Sequence, residues 1–137
     1  MQSLGIRRGM VVSGRVPVSA TETAHLDEFS TLGETTVAEF YQDSGFTSSA
    51  LSPENFPIQP AALADLAGGD REANASIIRH LLNGDDRGPK RDAVLLNAAA
   101  ALFVAGHARS FTEGWDLAAN LIDSGKGSAK LKSLTGR

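Results

Sequence analysis

The first third of the chain carries short apolar runs separated by polar stretches that contain glycine. Residues 10–12 form an apolar run with the length of a short buried strand. Residues 35–41 alternate in part and are rich in β-branched and aromatic side chains, and residues 46–51 follow a turn at residues 43–45. We therefore predict one strand followed by a hairpin. Residues 15–24 have no clear period, and we interpret them as a loop.

The pattern changes after a connecting segment that contains Pro53, Pro57 and Pro60. Beyond it, apolar residues recur at helical spacing, and glycine stands in the breaks between the periodic stretches. Asp70 is a good N-cap for the second helix, and Gly84 ends it. The sequence thus predicts five helices, at residues 61–66, from Asp70 to Gly84, and at residues 90–105, 111–124 and 128–134.

The third predicted helix has apolar residues around its whole circumference. From Ala93 to Ala105 every residue except Asn97 is apolar, and many are alanine. Such a helix is buried on most sides, and alanine permits close approach of its neighbours. A chain of 137 residues offers few elements to cover it. We therefore expect another part of the protein, or another chain, to pack on this helix.

Composition excludes several classes of function. The chain has no cysteine, which excludes disulfides and thiol chemistry, and its net charge of −3 gives no electrostatic reason to bind DNA, RNA or an anionic membrane surface. Hydrophobic residues make up 42% of the chain, but no apolar run approaches the ~18 residues of a membrane helix. The N-terminus lacks the apolar stretch of a signal peptide, so we expect a cytoplasmic protein.

Two carboxylates stand side by side at Asp27 and Glu28, within the segment from His25 to Thr31. Adjacent like charges disfavour each other's ionisation where water is scarce, and a divalent cation removes that conflict. Mg²⁺ is a hard ion that prefers oxygen ligands and usually shares them with substrate phosphates. Taken alone, such a pair more often belongs to a solvated acidic loop, so its surroundings decide between the two interpretations.

Residues 88–98 have the sequence Gly-Pro-Lys-Arg-Asp-Ala-Val-Leu-Leu-Asn-Ala, and shorter motifs precede and follow this run. The full set of motifs is residues 11–14, 25–33, 36–39, 68–70, 74–75, 88–102, 104–106, 114, 122–125 and 129–131. Together they resemble anthranilate phosphoribosyltransferase, in the family's order and over nearly the whole chain. The chain departs from the family in two places. The loop at residues 15–24 is longer than usual, and His25 stands where the family usually has glycine.

The resemblance implies a fold, an activity and a metal. The fold is α/β, the C-terminal part of the α/β domain of a phosphoribosyltransferase of the nucleoside phosphorylase-like type, with a mixed sheet flanked by helices. The activity is transfer of the phosphoribosyl group from phosphoribosyl pyrophosphate (PRPP) to anthranilate, with release of pyrophosphate, in tryptophan biosynthesis. Asp27 and Glu28 match the family's metal ligands, which hold Mg²⁺ on the pyrophosphate. The implied assembly is a homodimer that binds neither nucleic acid nor membrane.

The chain is much shorter than members of that family. Residues 1–137 correspond to a partial α/β domain, strand-rich over residues 1–51 and helical over residues 61–137. We expect the N-terminal helical domain and the glycine-rich donor loop to lie upstream, so this segment is expected to be inactive alone, and no catalytic or cofactor-binding residue is assigned in it. The alternative is a truncated, non-catalytic homologue that acts as an interaction module. A relative that binds nucleic acid is the weakest alternative, given the net charge.

Other polar residues in the motifs have structural interpretations. Ser30 and Thr31 have the chemistry either to bond the neighbouring carboxylates or to cap the backbone that follows them, and we expect capping. Asn74 and Asn97 are expected to satisfy backbone groups rather than to touch substrate. The Lys-Arg pair at residues 90–91 has the charge to bind phosphate, but we expect it to form a charged rim or an ion pair with nearby acidic residues. The three histidines and the absence of cysteine give no zinc-binding pattern.

Overall fold

The computed structural model describes residues 5–42 and 45–136, which form a four-stranded sheet followed by helices. The strands, in the order β2-β1-β3-β4 across the sheet, are β1 (Arg8–Pro17), β2 (Thr23–Leu26), β3 (Thr35–Tyr41) and β4 (Gly45–Leu51). The predicted α/β class is confirmed. The pairs formed by these strands are all antiparallel, whereas the resemblance implies a mixed sheet for the whole domain.

The connection from β2 to β3 crosses over β1, because β1 lies between the two strands that it joins. Gly14 of β1 pairs with Leu26 on one side and with Thr35 on the other. Residues 27–34, which we name the acidic turn, therefore pass over one face of β1 close to Gly14. The crossing brings the acidic pair against the sheet.

Residues 15–24, interpreted from the sequence as a loop, are instead the closed end of a hairpin, so that prediction is wrong. β1 continues into this segment and pairs with β2, with Val16 opposite Ala24. The Ser19 hydroxyl closes the turn by accepting a hydrogen bond from the Glu22 N–H at 3.1 Å. The sequence pattern is weak because β2 is a short edge strand with mostly exposed side chains, so its two faces do not differ in polarity.

The hairpin predicted from residues 35–51 is present as β3 and β4. Residues 43–44 of its predicted turn lie outside the described residues. β3 is the better buried of the two strands, with Thr35 and Val37 almost inaccessible to solvent. β4 is an exposed edge except at Leu51. β3 therefore joins the sheet to the core.

The five predicted helices are all present, each within two residues of its expected boundaries. They are α1 (Leu63–Leu66), α2 (Arg71–Asn83), α3 (Pro89–Val104), α4 (Phe111–Asp123) and α5 (Lys126–Thr135), and a 3₁₀ turn at Pro53–Asn55 precedes them. As predicted, Asp70 caps α2, where its carboxylate accepts a hydrogen bond from the Ala73 N–H at 2.8 Å. Gly84 ends α2 in the left-handed conformation. Within residues 5–42 and 45–136, no helix has the length and apolarity needed to cross a bilayer.

α3 lies between the sheet and α4 and supplies much of the core. Its buried apolar residues are Leu95, Leu96, Ala99 and Ala100. Gly114 of α4 lies so close to α3 that a Cβ at this position would stand 2.7 Å from the Ala99 carbonyl oxygen. The opposite face of α3 is open, with Val94 38% exposed, so the helix is buried on one side. This agrees with the expectation that the chain offers few elements to cover it.

Candidate metal-binding site

The acidic pair begins the acidic turn, directly after β2. Asp27 and Glu28 are both exposed, and neither forms an ion pair within the described part of the chain. Their oxygens are therefore accessible to a cation that arrives from solvent. Access of this kind is what a carboxylate site for Mg²⁺ requires.

Gly14 brings the acidic turn into contact with the backbone of β1. A Cβ at residue 14 would lie 2.7 Å from the Ser30 backbone nitrogen and closer still to the Glu28 carbonyl oxygen, well inside van der Waals contact. Gly33 has the same effect further along, since a Cβ there would lie 2.7 Å from the Arg15 carbonyl oxygen. The absence of side chains at these two positions lets the turn cross β1 at close range.

Asn97 of α3 holds the turn from the other side. Its Oδ1 accepts a hydrogen bond from the Phe29 N–H at 2.9 Å, and its Nδ2 donates to the Phe29 carbonyl oxygen at 3.1 Å. Nδ2 also donates to the Ala93 carbonyl oxygen, one turn earlier in α3, at 3.0 Å. These three bonds are named the Asn97 clamp. The prediction that Asn97 satisfies backbone groups is confirmed, and the residue that it holds directly follows the acidic pair.

The residues after the acidic pair are buried and hydrogen-bonded. The Phe29 ring is 4% exposed and meets Phe111 edge to face, with ring centroids 5.6 Å apart. Ser30 donates its backbone N–H to the Thr35 hydroxyl at 3.0 Å, and its own hydroxyl accepts from the Leu32 N–H at 3.1 Å. The expected capping role of Ser30 is therefore confirmed, and the third and fourth residues of the turn, Phe29 and Ser30, are held by hydrogen bonds.

Two clefts meet at the acidic turn. One, of about 270 Å³, lies between β1 and α3 and has both Asp27 and Glu28 in its lining. The other, of about 720 Å³, is bounded by α1, α2 and α3. Glu28 and Asn97 line both clefts. Glu28 thus borders a cleft of the size that small ligands occupy in proteins, and Asp27 lies beside the smaller cleft next to it.

Three further residues from the sequence motifs have no side-chain hydrogen bond to the acidic pair. Two of them bond other groups, and the third has no hydrogen-bond partner among the described residues. Asn74 accepts a hydrogen bond from the Gly69 N–H and donates to the Gly69 carbonyl oxygen, both at 2.9 Å, so its predicted backbone role is confirmed. The Thr31 hydroxyl is buried and has no hydrogen-bond partner among the described residues, so the predicted capping by Thr31 is wrong. His25 is exposed in β2, with its Nδ1 3.2 Å from the Ser13 hydroxyl oxygen.

Arg91 forms the predicted ion pair at the start of α3, whereas Lys90 bonds a backbone carbonyl oxygen instead of a carboxylate. Lys90 donates to the Asp65 carbonyl oxygen of α1. The Arg91 guanidinium lies 3.0 Å from the Asp123 carboxylate of α4, and Arg91 itself is buried. These contacts fix the N-terminal end of α3 against its neighbouring helices.

Arg8 of β1 fixes the opposite end of α3. Its guanidinium lies 3.6 Å from the Phe103 ring centroid and donates to the Phe103 carbonyl oxygen at 2.6 Å and to the Tyr41 hydroxyl at 3.0 Å. Tyr41 in turn donates to the Glu39 carboxylate, and this hydrogen bond raises the pKa of Tyr41 above its usual value. Because α3 is anchored at both ends, Asn97 has a fixed position relative to the acidic turn.

The acidic pair fits a magnesium ion whose coordination is completed by other oxygens. Mg²⁺ demands octahedral oxygen coordination, keeps several waters, and is usually held by one or two carboxylates together with substrate phosphates. Asp27 and Glu28 offer two such carboxylates beside a cleft. Across residues 5–42 and 45–136, no group of three or more His, Cys, Asp or Glu side chains is arranged to hold a metal ion.

Comparison with known sequences identifies a matching family model and relatives that share one name. Residues 2–128 match the model of the glycosyl transferase family, a/b domain. The chain is 46% identical over 134 residues to anthranilate phosphoribosyltransferase of Lacticaseibacillus paracasei, a match that covers 98% of this chain and 36% of that protein. It is 42% identical over 134 residues to the protein of the same name from Geobacter sp., covering 98% of this chain and 35% of the relative.

Solved structures give the same result. Anthranilate phosphoribosyltransferase from Thermus thermophilus superposes with a TM-score of 0.74 and 36% identity, over 92% of this chain and 34% of that one. The Saccharomyces cerevisiae enzyme in complex with PRPP and Mg gives a TM-score of 0.68 and 27% identity, over 78% of this chain and 30% of that one. The chain thus spans about a third of the length of these relatives. Because the family model matches almost the whole chain, the chain belongs to the glycosyl transferase family, with its match to the a/b domain.

Proposed function

We propose that this chain supplies the metal-binding part of an anthranilate phosphoribosyltransferase, which transfers the phosphoribosyl group from PRPP to anthranilate and releases pyrophosphate. The acidic turn carries the proposal, because Asp27 and Glu28 are exposed beside one cleft, and Glu28 also lines a second. The residue that follows them is held on both sides. The names of the relatives support it, and so does the relative whose structure contains PRPP and Mg.

The roles of the two carboxylates follow from the charge that develops in the reaction. As pyrophosphate leaves C1 of the ribose, negative charge builds on its oxygens and the sugar becomes oxocarbenium-like. Mg²⁺, when bound, neutralises that charge and orients the leaving group. Asp27 and Glu28 are the residues assigned to hold the ion. No residue of this chain is assigned a nucleophilic or proton-transferring role.

We assign the remaining substrate contacts to other parts of the enzyme. Since the chain spans about a third of its relatives, residues 1–137 are proposed to be part of the α/β domain, and the helical domain and the donor loop to come from other sequence. The glycine pair at residues 68–69 is not a substitute for that loop, because the Asp70 carboxylate caps α2 where a phosphate would bind. We therefore propose that the segment is inactive alone.

Removal of each carboxylate in the full-length enzyme tests the metal assignment. Asp27→Asn and Glu28→Gln keep the size of the side chain and remove its charge, so we expect kcat to fall about 100-fold or more in each variant. The melting temperature should stay unchanged, because both side chains are exposed. Asp116→Asn, which alters an exposed carboxylate on α4, is the matched control and should keep full activity. Full activity in both acidic-pair variants would contradict the assignment.

The open face of α3 favours a second candidate function, that of an interaction module. Ile78 and Val94 are 48% and 38% exposed in the 720 Å³ cleft, whose lining is mostly apolar. Exposed apolar surfaces of this kind are typical of sites that bind another protein. The expected homodimer belongs to this proposal. Light scattering after size-exclusion chromatography tests it. A dimer that Val94→Lys converts to monomer supports it. A protein that is monomeric at all concentrations and retains no partner in pull-downs contradicts it.

A further inference from the structure

The carboxylates of Asp27 and Glu28 have no hydrogen bond to any other described residue, so the backbone conformation alone determines where the two side chains start and in which direction they leave the turn. The next residue, Phe29, is bonded through both of its backbone groups to Asn97, 68 positions later in the chain. We propose that Asn97 is a positioning residue for the metal site, and that its side chain sets the conformation of the acidic turn and thereby the placement of both carboxylates. The inference rests on the proposed function and extends it to a residue outside the acidic pair.

The side-chain amide suits this role because it accepts and donates at the same time. Oδ1 takes the Phe29 N–H, and Nδ2 serves the carbonyl oxygens of Phe29 and Ala93. The bond to Ala93 lies within α3, so the helix orients the amide for the bonds that it makes to the turn. Aspartate at residue 97 would keep the acceptor and lose both donations, and leucine would lose all three bonds at similar volume.

The elements on both sides of Phe29 are themselves fixed. α3 is anchored at its start by Arg91, which pairs with Asp123, and near its end by Arg8, which bonds the Phe103 carbonyl oxygen. On the opposite side the acidic turn rests on β1 at Gly14. The acidic pair is therefore attached directly to a residue that is held between two rigid elements. Metal ligands need this support, because small displacements of a ligand change the coordination.

A comparison of two asparagines in the full-length enzyme tests the inference. Asn97→Leu removes the clamp on the acidic turn, and Asn74→Leu, the matched control, removes the equivalent pair of bonds to Gly69. Two readouts are independent of turnover. Hydrogen–deuterium exchange of a peptide that contains residues 27–34 reports the order of the turn. Electron paramagnetic resonance measures the affinity for Mn²⁺ in the presence of inorganic pyrophosphate.

We expect Asn97→Leu to speed exchange in residues 27–34 by about tenfold or more and to weaken Mn²⁺ binding by about tenfold, the typical effect of losing a residue that orients a metal ligand. Asn74→Leu should speed exchange only around residue 69 and leave the Mn²⁺ affinity unchanged. Asn97→Asp keeps one of the three bonds and should give an exchange rate between those of the wild type and Asn97→Leu. This variant keeps the test available if Asn97→Leu does not fold.

Each alternative outcome counts against a specific statement. Wild-type exchange and wild-type Mn²⁺ affinity in the Asn97 variants would overturn the positioning role and leave the assignment of Asp27 and Glu28 intact. Mn²⁺ binding that is insensitive to Asp27→Asn and to Glu28→Gln would contradict the proposed function, and the positioning role would fail with it. Equal loss of Mn²⁺ affinity in Asn74→Leu and Asn97→Leu would show a general loss of structure and would also overturn the inference.

Discussion

Asn74 and Asn97 each hold a turn through the same pair of backbone hydrogen bonds, but the turns lie at very different distances along the chain. Asn74 binds the N–H and the carbonyl oxygen of Gly69, five residues earlier, in the turn that leads into α2. Asn97 binds the same two groups of Phe29, 68 residues earlier. The same pair of side-chain hydrogen bonds thus stabilises a local turn at Asn74, whereas at Asn97 it attaches the candidate site to a distant helix.

The surroundings of the two asparagines also differ. Asn74 and Gly69 are exposed, so water replaces their hydrogen bonds when the side chain is lost. Phe29 is buried and the Asn97 clamp is partly buried, so the backbone groups of Phe29 would be left with poorer access to water. Loss of the asparagine side chain should therefore lower the free energy of unfolding only a little at residue 74 and more at residue 97. Only the substitution at residue 97 should affect the candidate site.

The largest effect on stability is expected from a substitution at Gly14, the glycine beside the acidic turn, and Gly68, beside the turn that Asn74 holds, is its control. Gly14→Ala places a Cβ against the backbone of Glu28 and Ser30, which cannot move without displacing the turn, so we expect the free energy of unfolding to fall by about 3 kcal/mol. Gly68→Ala meets the side chain of Asn74 instead, which can rotate away, and should cost about 1 kcal/mol. Urea denaturation measures both. Equal losses would show that the acidic turn is not pressed against β1.

An intermediate effect on the free energy of unfolding is expected when the side chain of Asn97 is removed, with Asn74 as the comparison. Asn97→Ala should lower the free energy of unfolding by about 2 kcal/mol, because it leaves partly buried backbone groups without partners, and Asn74→Ala by about 0.5 kcal/mol. The two sites share no partner, so the losses should add in the double variant. Chemical denaturation of the three variants checks this, and an equal cost at the two positions would contradict the distinction between them.

The smallest effect on stability is expected at Glu113, a charged side chain that bonds a residue only four positions earlier, as the Asn74 side chain bonds a residue five positions earlier. The Glu113 carboxylate accepts hydrogen bonds from the Arg109 N–H at 2.9 Å and from its Nε at 3.1 Å. The backbone hydrogen bond from Arg109 lowers the pKa of Glu113 below the usual value of a glutamate. A lowered pKa in the folded state means that the ionised carboxylate stabilises the protein above the pKa of an unfolded glutamate, and that this contribution disappears as the pH falls through the lower, folded-state pKa.

Glu113→Gln should therefore melt slightly below the wild type at neutral pH, and the two melting temperatures should converge in acid. Thermal unfolding followed across the pH range measures the difference. The effect is small because Glu113 is on the surface, where solvent screens the interaction. A difference in melting temperature that does not change with pH would mean that the charge of Glu113 has no part in holding the start of α4.

The helices could be predicted from the sequence because their signals are local. Apolar spacing, the Asp70 cap and the Gly84 terminator all lie within or next to the helix that they specify. The hairpin at residues 15–24 escaped prediction because its outer strand is exposed on both faces and carries no alternation. A strand that contributes little to a core leaves little trace in the pattern of apolar residues.

The candidate site could be predicted in part. The resemblance pointed to the acidic pair, and chemistry alone predicted that Asn97 would bond backbone groups. Its partner, Phe29, could not be predicted, because the contact joins positions 68 residues apart. The importance of Gly14 was also hidden, since it depends on the crossing of the β2–β3 connection over β1, which no local pattern records.

The long separation between Asn97 and Phe29 determines the order in which the parts of the candidate site are synthesised. During synthesis the acidic turn is made 68 residues before its attachment on α3, a delay on the order of several seconds at usual translation rates. In that interval the sheet can pair and the turn can meet Gly14, but the Asn97 clamp does not yet exist. A nascent chain therefore carries both carboxylates before Asn97 can hold the residue beside them, and the proposed binding site takes its final form only when α3 is complete.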